Sequence, residues 1–160
     1  MSKKYIILCA AICCLLGMGA ALVYHYLRFE HTYKEECSIS MVVYHKNVHA
    51  NITLNFMYSL EKQQGVVAVS GNYLQDDKPK GIIRRDVSYD WTENQDVYHL
   101  HSTKIDKYEG METLPDALLA SILPDFYVYP NENVSYSILN QGERGFLFTI
   151  GKRPLFYCAR

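Results

Sequence analysis

NITLNFMYSL, residues 51–60, is the stretch on which the fold turns. Ile52, Leu54, Phe56, Tyr58 and Leu60 alternate with Asn51, Thr53, Asn55, Met57 and Ser59. A period of two puts the two sets on opposite faces of a pleated ribbon, so the segment is expected to be a half-buried strand. The period returns on either side. Ile83, Val87, Tyr89 and Trp91 share a face opposite Arg84, Asp86, Ser88 and Asp90, and Val134, Tyr136, Ile138, then Phe146, Phe148, Ile150, repeat the theme. Residues 37–48, 65–74 and 97–104 read as further strands. Gln64-Gly65, Gly71-Asn72, residues 79–81, Glu93-Asn94 and Gln141-Gly142 read as the turns between them. Fourteen tyrosines against one tryptophan suit the same picture, because tyrosine fits half-buried pleated surfaces.

One segment breaks the period. Thr113-Leu114-Pro115-Asp116 opens ALLASIL, residues 117–123, with an N-cap and a first-turn proline, and Pro124 stops it. About seven strands with one short helix predict a mainly β fold, an antiparallel barrel or strongly curved sheet whose helix closes one end. A sheet of this size is expected to leave an edge strand or an open seam, a template for another chain's strand. At 160 residues the chain is long enough for one such domain.

The N-terminus reads differently. After Lys3 and Lys4, residues 5–27 hold no Asp, Glu, Lys or Arg. A helix of that length would span roughly 35 Å, enough for a hydrocarbon core of about 30 Å. It is longer than the apolar part of most cleaved signals, the alternative reading. The expected order is a cytoplasmic tail at 1–4, a transmembrane anchor at 5–27, a linker at 28–36 and an exported β-rich domain at 37–160, oriented by the two lysines. Cys9, Cys13, Gly17 and Ala21 recur every four residues and would form a small-residue face for packing against another membrane helix. Anchors are rich in small residues in any case.

Setting the anchor aside leaves Cys37 and Cys158 in the exported part. In an oxidising compartment two cysteines suggest a disulfide, here joining the two ends of the domain. Two free buried thiols are the alternative. No nucleophile motif is present. His99 and His101 point to one strand face and could begin a zinc or copper site with Asp96 or His45, although two solvent-facing histidines are the commoner outcome. The formal net charge of −1 and the scattered basic residues argue against a nucleic-acid partner. The densest basic spot, residues 78–85, reads as a solvated turn leading into a strand. No enzyme signature and no cofactor site emerge.

With GNYLQDDKPKGIIRRDVSYDW at 71–91, LPDALLASILPDFYVYP at 114–130 and RPLFYCAR at 153–160, the chain resembles the FidL-like family of small enterobacterial inner-membrane proteins. Such proteins typically accompany a membrane-anchored, ToxR-like transcription regulator, an arrangement similar to the ToxR–ToxS and VtrA–VtrC pairs. In the latter the small partner forms a lipocalin-like barrel with the regulator's periplasmic domain, and the complex binds bile salts. The resemblance implies an accessory co-sensor in the bacterial inner membrane, with its C-terminal domain periplasmic and a pocket for a bile-salt-like amphiphile. A stand-alone envelope binding or structural module is the other expectation. If the topology is right, a reporter that works only outside the cytoplasm will be active when fused after Arg160, and the opposite result removes the anchor.

Overall fold

Alternating burial runs through residues 34–159, whose strands close into a barrel. The structure, a computed structural model, describes residues 13–24, 26 and 34–160. It comprises two units, Met1–Lys34 and Glu35–Arg160. In the first, residues 13–24 and 26 are helical (α1) and exposed. Among the described residues no helix is long and apolar enough to cross a membrane. The tail at 1–4 and the remainder of the 5–27 span lie outside them. Of the packing face, Cys9 also lies outside, while Cys13, Gly17 and Ala21 are exposed on α1. The expected linker ends early, since residues 34–36 already belong to the first strand.

The second unit has eight strands: β1 (Lys34–His45), β2 (Val48–Ser59), β3 (Gln64–Gln75), β4 (Lys78–Asn94), β5 (Val97–Lys107), β6 (Asn133–Asn140), β7 (Gly145–Ile150) and β8 (Arg153–Ala159). Each neighbours the next in sequence, and β8 returns antiparallel to β1 with Ser38 opposite Ala159. The result is a closed barrel. The open seam expected above is therefore absent. Ile52, Leu54 and Phe56 point inward beside Val67, Val69, Ile83 and Val87, all at or below 2% exposure.

Several turns differ from expectation. Gly71-Asn72 sits inside β3, with Ile52 opposite Gly71. A Cβ there would stand 2.2 Å from the Asn51 carbonyl oxygen, so this glycine permits close strand approach rather than reversal. The chain turns instead at Asp76-Asp77, both with φ in the left-handed region (52° and 60°), as tight hairpins require. Residues 78–85 all lie in β4 rather than in a turn. β8 is an eighth strand that Pro154 disguises. The register shifts between Phe148 and Thr149, the latter facing Pro154, so the missing N–H falls at an irregularity.

The helix is shorter than expected. α2 covers only Asp116–Leu119, behind Pro115 with no side-chain cap. Thr113 is not its cap, because its Oγ1 accepts the Ile82 N–H at 2.9 Å and ties the loop to β4. A 3-10 turn follows at Asp125–Tyr127. Leu119, Leu123, Phe126, Tyr127 and Val128 enter the barrel core from this β5–β6 crossing, which plugs one end.

Cys37 and Cys158 are bonded, with Cα atoms 5.3 Å apart, next to the Ser38–Ala159 pair. The bond spans 121 residues, and the chain-entropy account gives roughly 4–5 kcal/mol for a loop of that size. Cys37→Ser and Cys158→Ser should each lower the melting temperature by the same amount, with the double variant adding little, because both remove one bond. Two additive losses in thermal denaturation would contradict a shared role.

Candidate functional site

At the end opposite the plug, β2, β4, β6 and β8 finish and β1, β3, β5 and β7 begin. The inward positions there are mostly aromatic. Phe56 and Phe148 stack across the interior with ring centres 5.2 Å apart, Phe148 reaches Phe156 at 4.8 Å, and Trp91 meets Tyr98 at 5.5 Å. Such pairs add about 0.5–1.5 kcal/mol each beyond area burial and hold the walls in place. Phe56, Phe148, Trp91 and Tyr98 line a cavity of about 240 Å³, with Leu60 and Asn140 near its rim, and Phe156 backs Phe148. A larger depression of about 560 Å³ lies among outward side chains such as Ser40, Thr53 and Arg84 and lacks such aromatic walls.

The rim is polar. Arg160 pairs with Glu35, donates from Nη1 to the Gly142 carbonyl at 3.3 Å, and sits 4.5 Å from the Phe146 ring centre. The Tyr58 hydroxyl donates to Glu35 at 3.5 Å. Burial first, and then the Glu35 charge, push the Tyr58 phenol well above its ordinary range, and burial does the same to Tyr89. Both stay neutral donors at ordinary pH. Trp91 is 8% exposed, and its Nε1 has no hydrogen-bond partner among the described residues.

Below the cup, the Tyr127 and Tyr136 hydroxyls meet at 3.0 Å, and burial pushes Tyr136 up to about 12. Deeper still is a charge. Arg85 occupies an inward position of β4 between Ile83 and Val87 and is fully buried. Its Nε donates to Glu112 at 3.0 Å and its Nη1 to the Val128 carbonyl at 3.3 Å. Nη2 reaches Glu112 and, at 2.8 Å, Asp116. Lys107 binds the other Asp116 oxygen at 2.6 Å. Burial lowers the Arg85 pKa, but bonds to Glu112 and Asp116 outweigh it, and the net shift is upward.

Of the residues singled out from sequence, Cys37 and Cys158 come together. His99 and His101 face outward and bond Ser135 at 2.8 Å and Asn133 at 2.9 Å through their Nδ1 atoms. Asp96 sits in the β4–β5 turn and His45 is exposed at the end of β1. Among the described residues no cluster of His, Cys, Asp or Glu could hold a metal. The sequence reading passed over Arg85, whose signal was its place in an apolar alternation. It also left the cup unassembled, because its walls come from strands far apart in the chain.

A family described as the YqeJ C-terminal domain matches residues 34–158, within one residue of the barrel's bounds. The "Uncharacterized protein YqeJ" of Escherichia coli (strain K12) is 41% identical over 138 residues, 86% of either chain.

Removing Arg85 would strand the Glu112 carboxylate, whose side chain is 4% exposed. Arg85→Met should therefore cost about 3–5 kcal/mol, and Arg85→Met with Glu112→Leu less than that single change. The acid limb follows from Asp116. Burial alone would raise its pKa, but bonds from Lys107 and Arg85 bring it below the ordinary carboxylate value. A depressed carboxylate stabilises the fold above its unfolded value of about 3.9, and that stability is lost as pH falls through the lower folded value. Asp116→Asn should flatten the melting-temperature curve in that window. An unchanged acid limb would show that the network contributes nothing to it.

Proposed function

This chain belongs to the YqeJ C-terminal domain family, and we propose that its barrel is a periplasmic binding module that takes one small, largely apolar molecule into the aromatic cup. Residues 5–27 anchor it in the bacterial inner membrane. The cup carries the proposal: it is an apolar cavity formed within one chain, with convergent polar groups at its mouth, the usual character of a small-molecule site. The Cys37–Cys158 bond suits an oxidising compartment. At about 240 Å³ the cavity falls below the range of about 300–1,000 Å³ typical of drug-sized ligands. It takes a compact molecule whole, or one end of a bile-salt-like amphiphile whose remainder projects past Arg160 and Asn140.

The second reading, an accessory partner of a ToxR-like regulator within a wider FidL-like group, keeps one supporting observation. Cys13, Gly17 and Ala21 are exposed on α1, and nothing lies within 4 Å of a Cβ built on Gly17. With the barrel closed, strand donation is no longer the route, and a partner would contact α1 or the outer wall.

Filling the cup tests the first reading. The neutral dye N-phenylnaphthylamine should bind the full-length chain saturably at one site and quench or shift the emission of Trp91, the one tryptophan in the sequence. Ile138→Trp replaces an aliphatic side chain of the lining with a bulky indole and should weaken binding at least tenfold while the thermal transition remains cooperative. Equal affinity in the variant, measured by dye fluorescence or calorimetry, places the dye elsewhere and removes the proposal.

A further inference from the structure

The polar groups of the cup are unequally satisfied. Arg160 is engaged by Glu35, by the Gly142 carbonyl at 3.3 Å and by the face of Phe146. Glu35 in turn accepts from Tyr58. These are the two charged residues that line the cavity, and they neutralise one another. Trp91 stands on β4, four strands from β8 in either direction around the barrel, so its wall faces theirs across the cup. Its indole nitrogen is buried and has no acceptor among the described residues. A buried donor left unpaired is costly, and a partner that arrives later recovers that cost. The nitrogen is buried from bulk water and from the cup alike, while the rest of the indole lines the cavity, so a cup-bound acceptor reaches it once the indole turns about its side-chain bonds.

We propose that the cup selects an uncharged ligand that presents one acceptor oxygen, of a carbonyl, ether or hydroxyl group, to Trp91 Nε1, and that it disfavours carboxylates of the same shape. This rests on the cup-binding reading and narrows it. A carboxylate would have to displace Glu35 from Arg160 or lie unpaired near the Glu35 charge, and burying an unpaired charge is strongly unfavourable. A neutral oxygen disturbs neither and satisfies the indole. A hydrocarbon of equal size fills the same volume but leaves the donor unmade.

Three naphthalenes substituted at the same ring position separate these cases: acetonaphthone, isopropylnaphthalene and naphthoate, matched in heavy atoms. The full-length chain in lipid nanodiscs, carrying nitrogen-15 tryptophan, gives a single indole N–H resonance because the sequence holds one tryptophan. Acetonaphthone should bind about tenfold more tightly than isopropylnaphthalene, the scale of one satisfied buried donor, and should shift the indole proton downfield. Naphthoate should bind more weakly than the ketone. Trp91→Phe should equalise ketone and hydrocarbon while retaining hydrocarbon binding. The comparison in the unaltered protein stands even if that variant folds poorly. Equal affinities for ketone and hydrocarbon, or tightest binding of naphthoate, overturn the selectivity and leave the cup reading intact. Binding by none of the three removes the cup reading itself.

Discussion

An eight-stranded sheet becomes a barrel only when its first strand finds its last, and here the Cys37–Cys158 bond holds that meeting across 121 residues of chain. Beside it Ser38 faces Ala159, and one step further Arg160 pairs with Glu35. The seam is therefore covalent, hydrogen-bonded and ionic within a few residues. Everything inside depends on it. Were β1 to peel away, Cys37 and Ile39 would leave the core and the cup would lose one wall. Closure also removes the exposed strand edges that attract other chains.

The two ends of the barrel solve the same problem by different means. At the plugged end an arginine sits where an aliphatic side chain would be expected, and carboxylates from the β5–β6 crossing meet it. That pairing pins the crossing to the barrel wall, with Thr113 bonded to β4 as a second tie. A buried ion pair of this kind is weak evidence for stability but fixes one arrangement, since either charge left alone would be expensive. At the mouth the interior is filled incompletely by aromatic rings, and the remaining space is the cup. Rings have few rotatable bonds, so most of the cup is pre-formed, and the turn of the Trp91 indole is the main ordering a ligand imposes.

This division assigns separate duties to the polar groups. Arg85 is consumed by structure, with its donors directed at Glu112, Asp116 and Val128. Arg160 is consumed by the seam. Trp91 alone among the buried side-chain polar atoms of the described residues has no partner, and it borders the cavity. A fold that satisfies its interior polar groups so fully makes an unsatisfied donor beside an empty space informative about chemistry.

Much of this was legible in the residues. The alternation at 51–60 and most of its repeats set the strands and their inward faces, because side-chain direction along a regular strand follows position parity; Ile150 is the exception, 54% exposed while Thr149 is buried past the register shift at Phe148–Thr149. Two cysteines outside the N-terminal apolar run identified the bridge. What the linear pattern could not carry were effects between residues distant in sequence. Gly71 looked like a turn until Asn51 was seen against it. Residues 153–159 carried no strand signal, and in the fold a register shift absorbs Pro154 within β8. Thr113 looked like a cap, and Ile82 had taken its hydroxyl. Arg85 finds its carboxylates 27 and 31 residues away, so its place in the apolar alternation marked it as inward while nothing local marked its partners. The sequence by itself determined most of the side chains that face inward; tertiary structure alone decided that the sheet closes and where space is left, because closure and cavities arise from the packing of all eight strands together.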